Sequence, residues 1–508
     1  MNRTRHLFRS SLIVIIFFAA GKLTGLIRTQ FVGRAFGTGP AFDAFTAANQ
    51  LPEVFVTLIA GGALAAAFIP VYSAHLTRQQ DKEAAQLANA TLTLVLLLLG
   101  GISALGILFA PFLVRTYLVP DYTPAQQALT ASLMRIILVQ TTLFGVSGVL
   151  SSLLNAHQHF ALPALAPIAL DIGYLVGVFF FVPRLGIHGL AWGTVVGGVL
   201  HIAIQLPALV RYKFRYFPVL GFSLPGLREI IRLMGPRIVT LGSVQIADLF
   251  IIRITSGLPA GSTSGYFYGY YLQQLPETLF GTAIAIVVFP TMAELFNAGN
   301  IEALKRTAIS ALSIIWTLTI PAAAAMVLLG EPAIVILLQR GAFDVASTRL
   351  VYSILIYFSV RVVSEASLEI LARLFYAQHN TTVPMFVALG WLAVSVVLFE
   401  TLVEPMGVAG LALASTVAFT LQSITLYLLN RRRLGALYER ELLLSGGRAL
   451  LATGGMAVVI LAIEQFTTSP LILLAGGGGA GAIAYAAINL LTGGQELPTL
   501  WRLARSSI

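Results

Sequence analysis

The sequence predicts an all-α polytopic membrane protein of about 14 transmembrane helices. It has two six-helix lobes, related by a pseudo-twofold axis along the membrane normal, plus two C-terminal helices. Three observations predict this. First, the 508 residues are 57% hydrophobic and 10% charged, whereas a soluble protein carries about 25% charged residues; lipid must cover much of the surface. Second, short segments recur in one order at one spacing. Gln50-Leu51-Pro52-Glu53 returns as Gln274-Leu275-Pro276-Glu277, Gly186-Ile187-His188-Gly189-Leu190-Ala191 as Gly407-Val408-Ala409-Gly410-Leu411-Ala412, and Asn155-Ala156-His157-Gln158 with Pro163 as Tyr376-Ala377-Gln378-His379 with Pro384, all about 221 to 224 residues apart. Long repeats in an apolar chain point to a transporter built from two related lobes. Third, basic residues collect in alternate connections.

The elements follow in order. Windows of about 20 apolar residues cross the hydrocarbon. Cut at Pro, Gly and charge clusters, they fall at approximately 10–34, 41–75, 86–112, 126–156, 162–182, 187–210, 234–256, 265–296, 304–328, 348–376, 382–402, 407–430, 447–466 and 470–492. Arg3, Arg5 and Arg9 before the apolar run 11–20 mimic a signal peptide. No small-residue cleavage site closes the run, and Lys22 and Arg28 continue the helical pattern, so the segment reads as a retained first span. The lobes are 1–215 and 216–433; residues 434–508 hold the last two spans and tail. An even number of spans in each lobe gives both the same orientation.

With the N-terminus inside, the cytoplasmic segments hold Arg78, Lys82, Arg211, Lys213, Arg215, Arg228, Arg232, Lys305, Arg306, Arg373, Arg431, Arg432, Arg433, Arg440, Arg448, Arg502 and Arg505. The outer loops hold only Arg34, Arg115, Arg184, Arg253, Arg340 and Arg349. This is a positive-inside pattern that puts both termini in the cytoplasm. It assigns the net charge of +10 to anionic lipid headgroups rather than nucleic acid. Cysteine is absent, which excludes disulfides and thiolate metal sites.

Ionisable groups inside spans are costly, about 2.5–3.5 kcal/mol each on insertion scales, and are the first functional candidates. These are Lys22 and Arg28 (span 1), Asp43 and Glu53 (span 2), Arg135, Asp171, Arg237, Asp248, Glu277 (span 8), and Arg361, Glu365 and Glu369 (span 10). Lys22 and Arg28 are six apart and could flank one cavity, or Arg28 could snorkel to the outer interface. Arg361, Glu365 and Glu369, spaced by four, share one face and read either as a cavity group or as an internal ion pair. Pro52 and Pro276 each remove a helical hydrogen bond and bend their helices. The neighbours Gln50, Glu53, Gln273, Gln274 and Glu277 can serve the freed carbonyls or face water. With Gly61, Gly62 and Gly281 close by, the two prolines read as matched hinges or as plain kinks. The substrate-binding candidates are therefore Lys22, Arg28, Asp43, Glu53, Gln274, Glu277 and Arg361, with Pro52, Pro276, Gly61 and Gly62 as hinges. No phosphate loop or HExxH motif is present. His157 and His159 suit a helix end better than a metal site, and the glycine tract 476–481 suits close helix packing. No cofactor, metal or catalytic group is expected; the energy source is expected to be the membrane potential or an ion gradient.

At these residues the chain resembles the MurJ/MviN lipid II flippase family, in the multidrug/oligosaccharidyl-lipid/polysaccharide exporter superfamily. The resemblance rests on Gly25-Leu26-Ile27-Arg28, Phe36-Gly37-Thr38-Gly39, Asp43-Ala44-Phe45, Leu51-Pro52, Gly62-Ala63-Leu64, Leu154-Asn155, Pro163-Ala164, Gln205-Leu206-Pro207, Met234-Gly235-Pro236, Arg340-Gly341-Ala342-Phe343-Asp344 and Phe375-Tyr376-Ala377. It implies alternating access through a cationic cavity between lobes, a groove for a polyprenyl tail at spans 13 and 14, and a lipid-linked peptidoglycan precursor as cargo. It places Lys22 and Arg28 on the family's two cationic positions of span 1 and Asp43 on its acidic position in span 2. It further implies the bacterial cytoplasmic membrane, membrane lipids as partners, no nucleic acid, and contact with cell-wall synthesis machinery. The chain departs from the pattern at Val56 and Thr57, where the family has an Arg pair; at Gly61, where it has Glu; at Tyr271, its span-8 Arg; and at Thr29, where it has an acid. Arg135, Arg237 and Arg361 are candidates to replace that charge. The alternatives are a cation-coupled small-molecule or drug exporter, a flippase of a different lipid-linked glycan, or a non-transporting scramblase or scaffold.

Overall fold

A computed structural model describes residues 20–60, 62–212 and 214–500, and every regular element among them is helical. The chain divides into two compact units, Met1–Ser264 and Gly265–Ile508.

The first unit contains α1 (20–36), α2 (Pro40–Phe55), α3 (Gly62–Thr77), α4 (Asp81–Leu118), α5 (Pro124–Ala156), α6 (Ala161–Leu185), α7 (Ile187–Arg211) and α8 (Pro225–Thr255). Its core joins Leu64, Phe68 and Tyr72 of α3 to Leu87 and Leu99 of α4, Leu150 and Leu153 of α5, and Leu227 and Ile230 of α8. Thus α8, counted with the second lobe in the sequence reading, packs within the first unit against α2 and α3. On α4, Leu97, Leu105, Leu108, Phe109 and Phe112 are exposed, the apolar stripe expected of a helix solvated by acyl chains.

Helices α6 and α7 meet along a seam of glycines. Gly173 and Gly177 face Gly189, Gly193 and Gly197; a Cβ at Gly193 would sit 2.8 Å from Gly177 Cα, and one at Gly173 would collide with the Gly197 backbone. Only hydrogen at Cα allows this approach, the small-residue packing of helices in lipid.

The second unit contains α9 (Ser262–Asn297, its first three residues belonging to the first unit), α10 (Ile301–Leu328), α11 (Gly330–Leu337), α12 (Val345–Ala377), α13 (Thr382–Met406), α14 (Val408–Leu434), α15 (Glu439–Glu464) and α16 (Pro470–Leu491). Ile309, Leu312 and Ile315 of α10 pack with Ala366 and Ile370 of α12, Leu426 of α14 and Leu442 of α15. Helices α15 and α16 form a second core through Met456, Ile460 and Tyr485. The Tyr485 hydroxyl ties it to α10 by donating to the Thr317 carbonyl at 2.5 Å. Gly481, in the glycine tract, lies against Ile460 and Met456.

Among the described residues, 10 helices are long and apolar enough to cross a membrane: α4, α5, α6, α7, α9, α10 and α13 to α16. The other segments expected to cross differ for identifiable reasons. Residues 1–19 and 61 lie outside the described residues, so α1 and the α2–α3 segment are described only in part. Helices α8 and α12 are polar: α8 holds Arg228, Glu229 and Arg232, and α12 holds Arg349, Arg361, Glu365, Glu369 and Arg373.

Both proline positions lead into a wider helical turn. Pro52 is followed by a π-helical turn at Val56–Ala60, and Pro276 by one at Glu277–Thr282. Proline removes the i→i−4 bond in the turn before it, and a proline and a π-bulge are each sites where a helix bends. The two turns begin about 221 residues apart, the spacing of the sequence repeat.

Candidate functional site

In the first unit the polar side chains gather where α1, α2 and α6 meet. Arg28 of α1 is ion-paired with Asp171 of α6, Nη1 to Oδ1 at 3.0 Å. The other carboxylate oxygen of Asp171 accepts from the Thr24 hydroxyl at 2.6 Å. The guanidinium also lies over the Tyr174 ring, 4.9 Å from its centroid. One carboxylate and one aromatic face thus fix the plane of a guanidinium that keeps 16% side-chain exposure. The planar fork of arginine suits a bidentate oxyanion such as a phosphate. Lys22, half-buried, lies six residues before Arg28 on α1.

Glu53 is exposed on α2; it accepts from Asn49 Nδ2 at 3.1 Å and lies within electrostatic reach of Arg28. Gln50, buried one turn earlier, donates to Gln245 of α8 at 3.5 Å. Asp43 is 2% exposed and its oxygens are fully engaged. Oδ2 accepts from the Gly261 amide at 2.5 Å, and Oδ1 accepts from the Ser264 amide at 2.8 Å and the Ser264 hydroxyl at 2.6 Å. The carboxylate fastens the first turn of α9 to α2, a partnership that sequence reasoning missed. Pro52 is buried in α2. Gly62 opens α3, and Gly61 lies outside the described residues.

The second unit has its own polar cluster between α9 and α12. Arg361 is buried; its Nε donates to Glu365 at 2.9 Å and its Nη1 to the Ser415 hydroxyl of α14 at 2.7 Å. Its guanidinium lies 3.9 Å from the Phe419 ring centroid and 5.0 Å from that of Tyr270. Gln273 and Gln274 each donate an amide hydrogen to Glu365, at 3.0 and 3.2 Å. Glu277 is 3% exposed and accepts from the Thr282 hydroxyl at 3.1 Å and the Thr278 hydroxyl at 3.4 Å. Glu369 pairs with Arg373, one turn further along α12. The trio spaced by four therefore splits into two ion pairs, Arg361–Glu365 and Arg373–Glu369. Gln273 and Ser415 complete this cluster; Gln273 was legible as a polar neighbour of Pro276, Ser415 in no pattern.

The residues proposed to replace missing family charge are dispersed. Arg135 is exposed on α5, where its Nε donates to the Ile107 carbonyl at 3.1 Å. The Arg237 side chain lies outside the described residues. Val56 and Thr57 are half-buried in the first π-turn, and Tyr271 is exposed. A separate apolar groove of about 370 Å³ is lined by Thr317 and Pro321 of α10, Met456 and Ile460 of α15, and Ala482 and Tyr485 of α16.

Arginines held by carboxylates and aromatic faces inside apolar helix bundles, beside repeat-related π-turns, define a polytopic membrane transporter. The family model described as "Lipid II flippase MurJ" matches residues 32–475. The "Probable lipid II flippase MurJ" of Bdellovibrio bacteriovorus is 32% identical over 459 residues, 88% of this chain and 87% of that protein. The "Lipid II flippase MurJ" of Burkholderia cenocepacia is 28% identical, covering 84% of each. Among solved structures, a lipid II flippase MurJ in an inward closed conformation superposes with a TM-score of 0.82 at 20% identity, covering 96% of this chain and 99% of that one. An inward-facing multidrug resistance MATE family transporter shares the fold more distantly, with a TM-score of 0.71 at 17% identity, covering 84% of this chain and 99% of that one. The chain belongs to the lipid II flippase MurJ family, a family of transporters and not of enzymes, and it is a multi-pass protein of the cytoplasmic membrane.

Proposed function

We propose that this protein carries lipid II, the polyprenyl-pyrophosphate-linked peptidoglycan precursor, from the cytoplasmic to the outer leaflet by alternating access. The single observation that carries the reading is kinship along nearly the whole chain, 32% identity over 88% of its length, to a protein named as a probable lipid II flippase. The Arg28 site supports it, because a pyrophosphate needs cationic groups fixed in a low-dielectric setting. Lys22 and Arg28 bind the pyrophosphate. The groove of about 370 Å³ beside α15 and α16 takes the apolar tail. Glu53 and Gln274 contact the sugar–peptide head. Twelve crossings in lobes 1–215 and 216–433 plus a pair in 434–508, fourteen in all, put both termini in the cytoplasm, where cell-wall synthesis machinery can dock. Transport draws on the membrane potential or an ion gradient.

The test is translocation of labelled lipid II in proteoliposomes. Lys22→Ala should slow it roughly tenfold or more, the worth of one charge-assisted contact of ~1.4 kcal/mol or greater, while the variant still inserts. A wild-type rate would remove Lys22 from the pathway. The likeness to a MATE family transporter favours a second reading as a small-molecule exporter, which would tolerate deletion of α15 and α16.

A further inference from the structure

Among the described residues, Glu277 is the one carboxylate of the α9–α12 cluster with no guanidinium paired to it. Glu365 is held by Arg361 and Glu369 by Arg373, each on α12 itself. Glu277 feels both of these acids, and its hydrogen-bond partners are the hydroxyls of Thr278 and Thr282. The segments packed on its turn are α10, α12 and the remainder of α9. On α10 the ionisable side chains are Glu302, Lys305 and Arg306, in its first two turns, where Lys305 pairs with Glu302 and Arg306 with Tyr438. On α12, Arg349 lies three turns before Arg361; on α9 the remaining acid is Glu294, in the last turns. Three carboxylates thus face two guanidiniums, and a buried unpaired charge is costly. One proton neutralises the group, and Glu277 is the acid with no cation to displace it.

The position of this acid is as informative as its charge. Glu277 opens the π-turn Glu277–Thr282, and the Thr282 hydroxyl at the far end of that turn donates back to its Oε1 at 3.1 Å. The carboxylate therefore braces the turn along its length. The turn is also pressed onto α12, for a Cβ at Gly281 would lie 2.7 Å from Ala366 Cβ and 2.8 Å from Glu277 Oε1. A weaker brace, as follows when a carboxylate becomes a neutral acid and a poorer acceptor, has no slack to absorb it and moves the helix. In the first repeat the matching acid, Glu53, is exposed and lies ahead of the π-turn Val56–Ala60 rather than opening it, so the device is confined to the second.

We propose that Glu277 is a proton-binding site, and that its ionisation sets the bend of α9 at the Glu277–Thr282 turn. This names a proton as the coupled ion for the transport reading above, but the site is tested without cargo. In the full-length protein reconstituted in liposomes, infrared difference spectra across a pH series should show a titrating carboxylic C=O band that Glu277→Gln abolishes and Glu277→Asp shifts. Spin labels on Tyr271→Cys and Val287→Cys, both exposed positions flanking the turn, should report a distance that follows the same titration. In Glu277→Gln that distance should stay at its low-pH value. In Thr282→Val the band should titrate while the distance stays constant. A band that survives in Glu277→Gln overturns the proton site. A distance indifferent to pH, or one that still titrates in Thr282→Val, overturns the brace. Neither measurement involves lipid II, so failure here leaves the cargo reading standing, and a failed flipping assay leaves this one standing.

Discussion

Replacing Asp43 by alanine separates two roles that its position allows. Read from sequence, Asp43 belongs to the substrate site; in the structure it is the buried acceptor of three hydrogen bonds from Gly261 and Ser264. In Asp43→Ala the Ser264 hydroxyl has a second acceptor already within reach, the Gly261 carbonyl at 3.3 Å. The two backbone amides have none. An orphaned buried donor costs about 1–3 kcal/mol, so the first turn of α9 should lose roughly 2–6 kcal/mol of local stability. Asp43→Asn keeps one acceptor oxygen and should lose about 1–2 kcal/mol. The chain has no native cysteine, so a thiol at the buried Ser262 reports opening directly. At about 4 kcal/mol its labelling rate should rise about 10³-fold in Asp43→Ala, with a lowered melting temperature in detergent. Unchanged labelling and melting, together with lost lipid II translocation, would refute the latch and return Asp43 to the cargo.

Two further outcomes follow from the packing and capping. Gly173→Ala forces a methyl into the Gly197 backbone across the α6–α7 seam; overpacking costs about 1–3 kcal/mol, here at the upper end because the obstacle is backbone, read as a lower melting temperature and poorer membrane yield, while Gly101→Ala, with open space around it, should be neutral. Asp344 caps α12 by accepting from the Ser347 amide at 2.8 Å, and that hydrogen bond holds its carboxyl below the ordinary value of 3.8. Its stabilisation is therefore complete above about pH 4 and is lost as pH falls through the lower folded-state value. Asp344→Ala should cost about 1 kcal/mol at neutral pH and flatten the acid limb of a melting-temperature profile; a steeper acid limb in the variant would contradict this.

How far the sequence could be read depended on the range of each interaction. The spans were legible because apolar length is a local property, and the matched prolines because they recur with their neighbours. Arg361 and Glu365 were legible as a pair because a spacing of four is itself a geometry. By contrast, Asp43 meets Gly261 and Ser264, 218 and 221 residues further on, and Thr24 meets Asp171 across 147; no local period encodes such partners. The proline kinks were expected, but not the wider turns after them, because a missing amide says where a ladder breaks and not how the next turn re-forms. The glycines of α6 and α7 recur every four residues in plain view, yet their meaning depends on which helix faces them.

The α6–α7 seam has a mechanical corollary. Where two backbones touch with no side chain between them, there are no rotamers to exchange and no alternative interdigitation to slide into. The pair travels together, because sliding or twisting along its contact line would open voids in lipid. Reshaping that accompanies a transport cycle is then taken up away from this contact line, at sites that include the wider turns after Pro52 and Pro276.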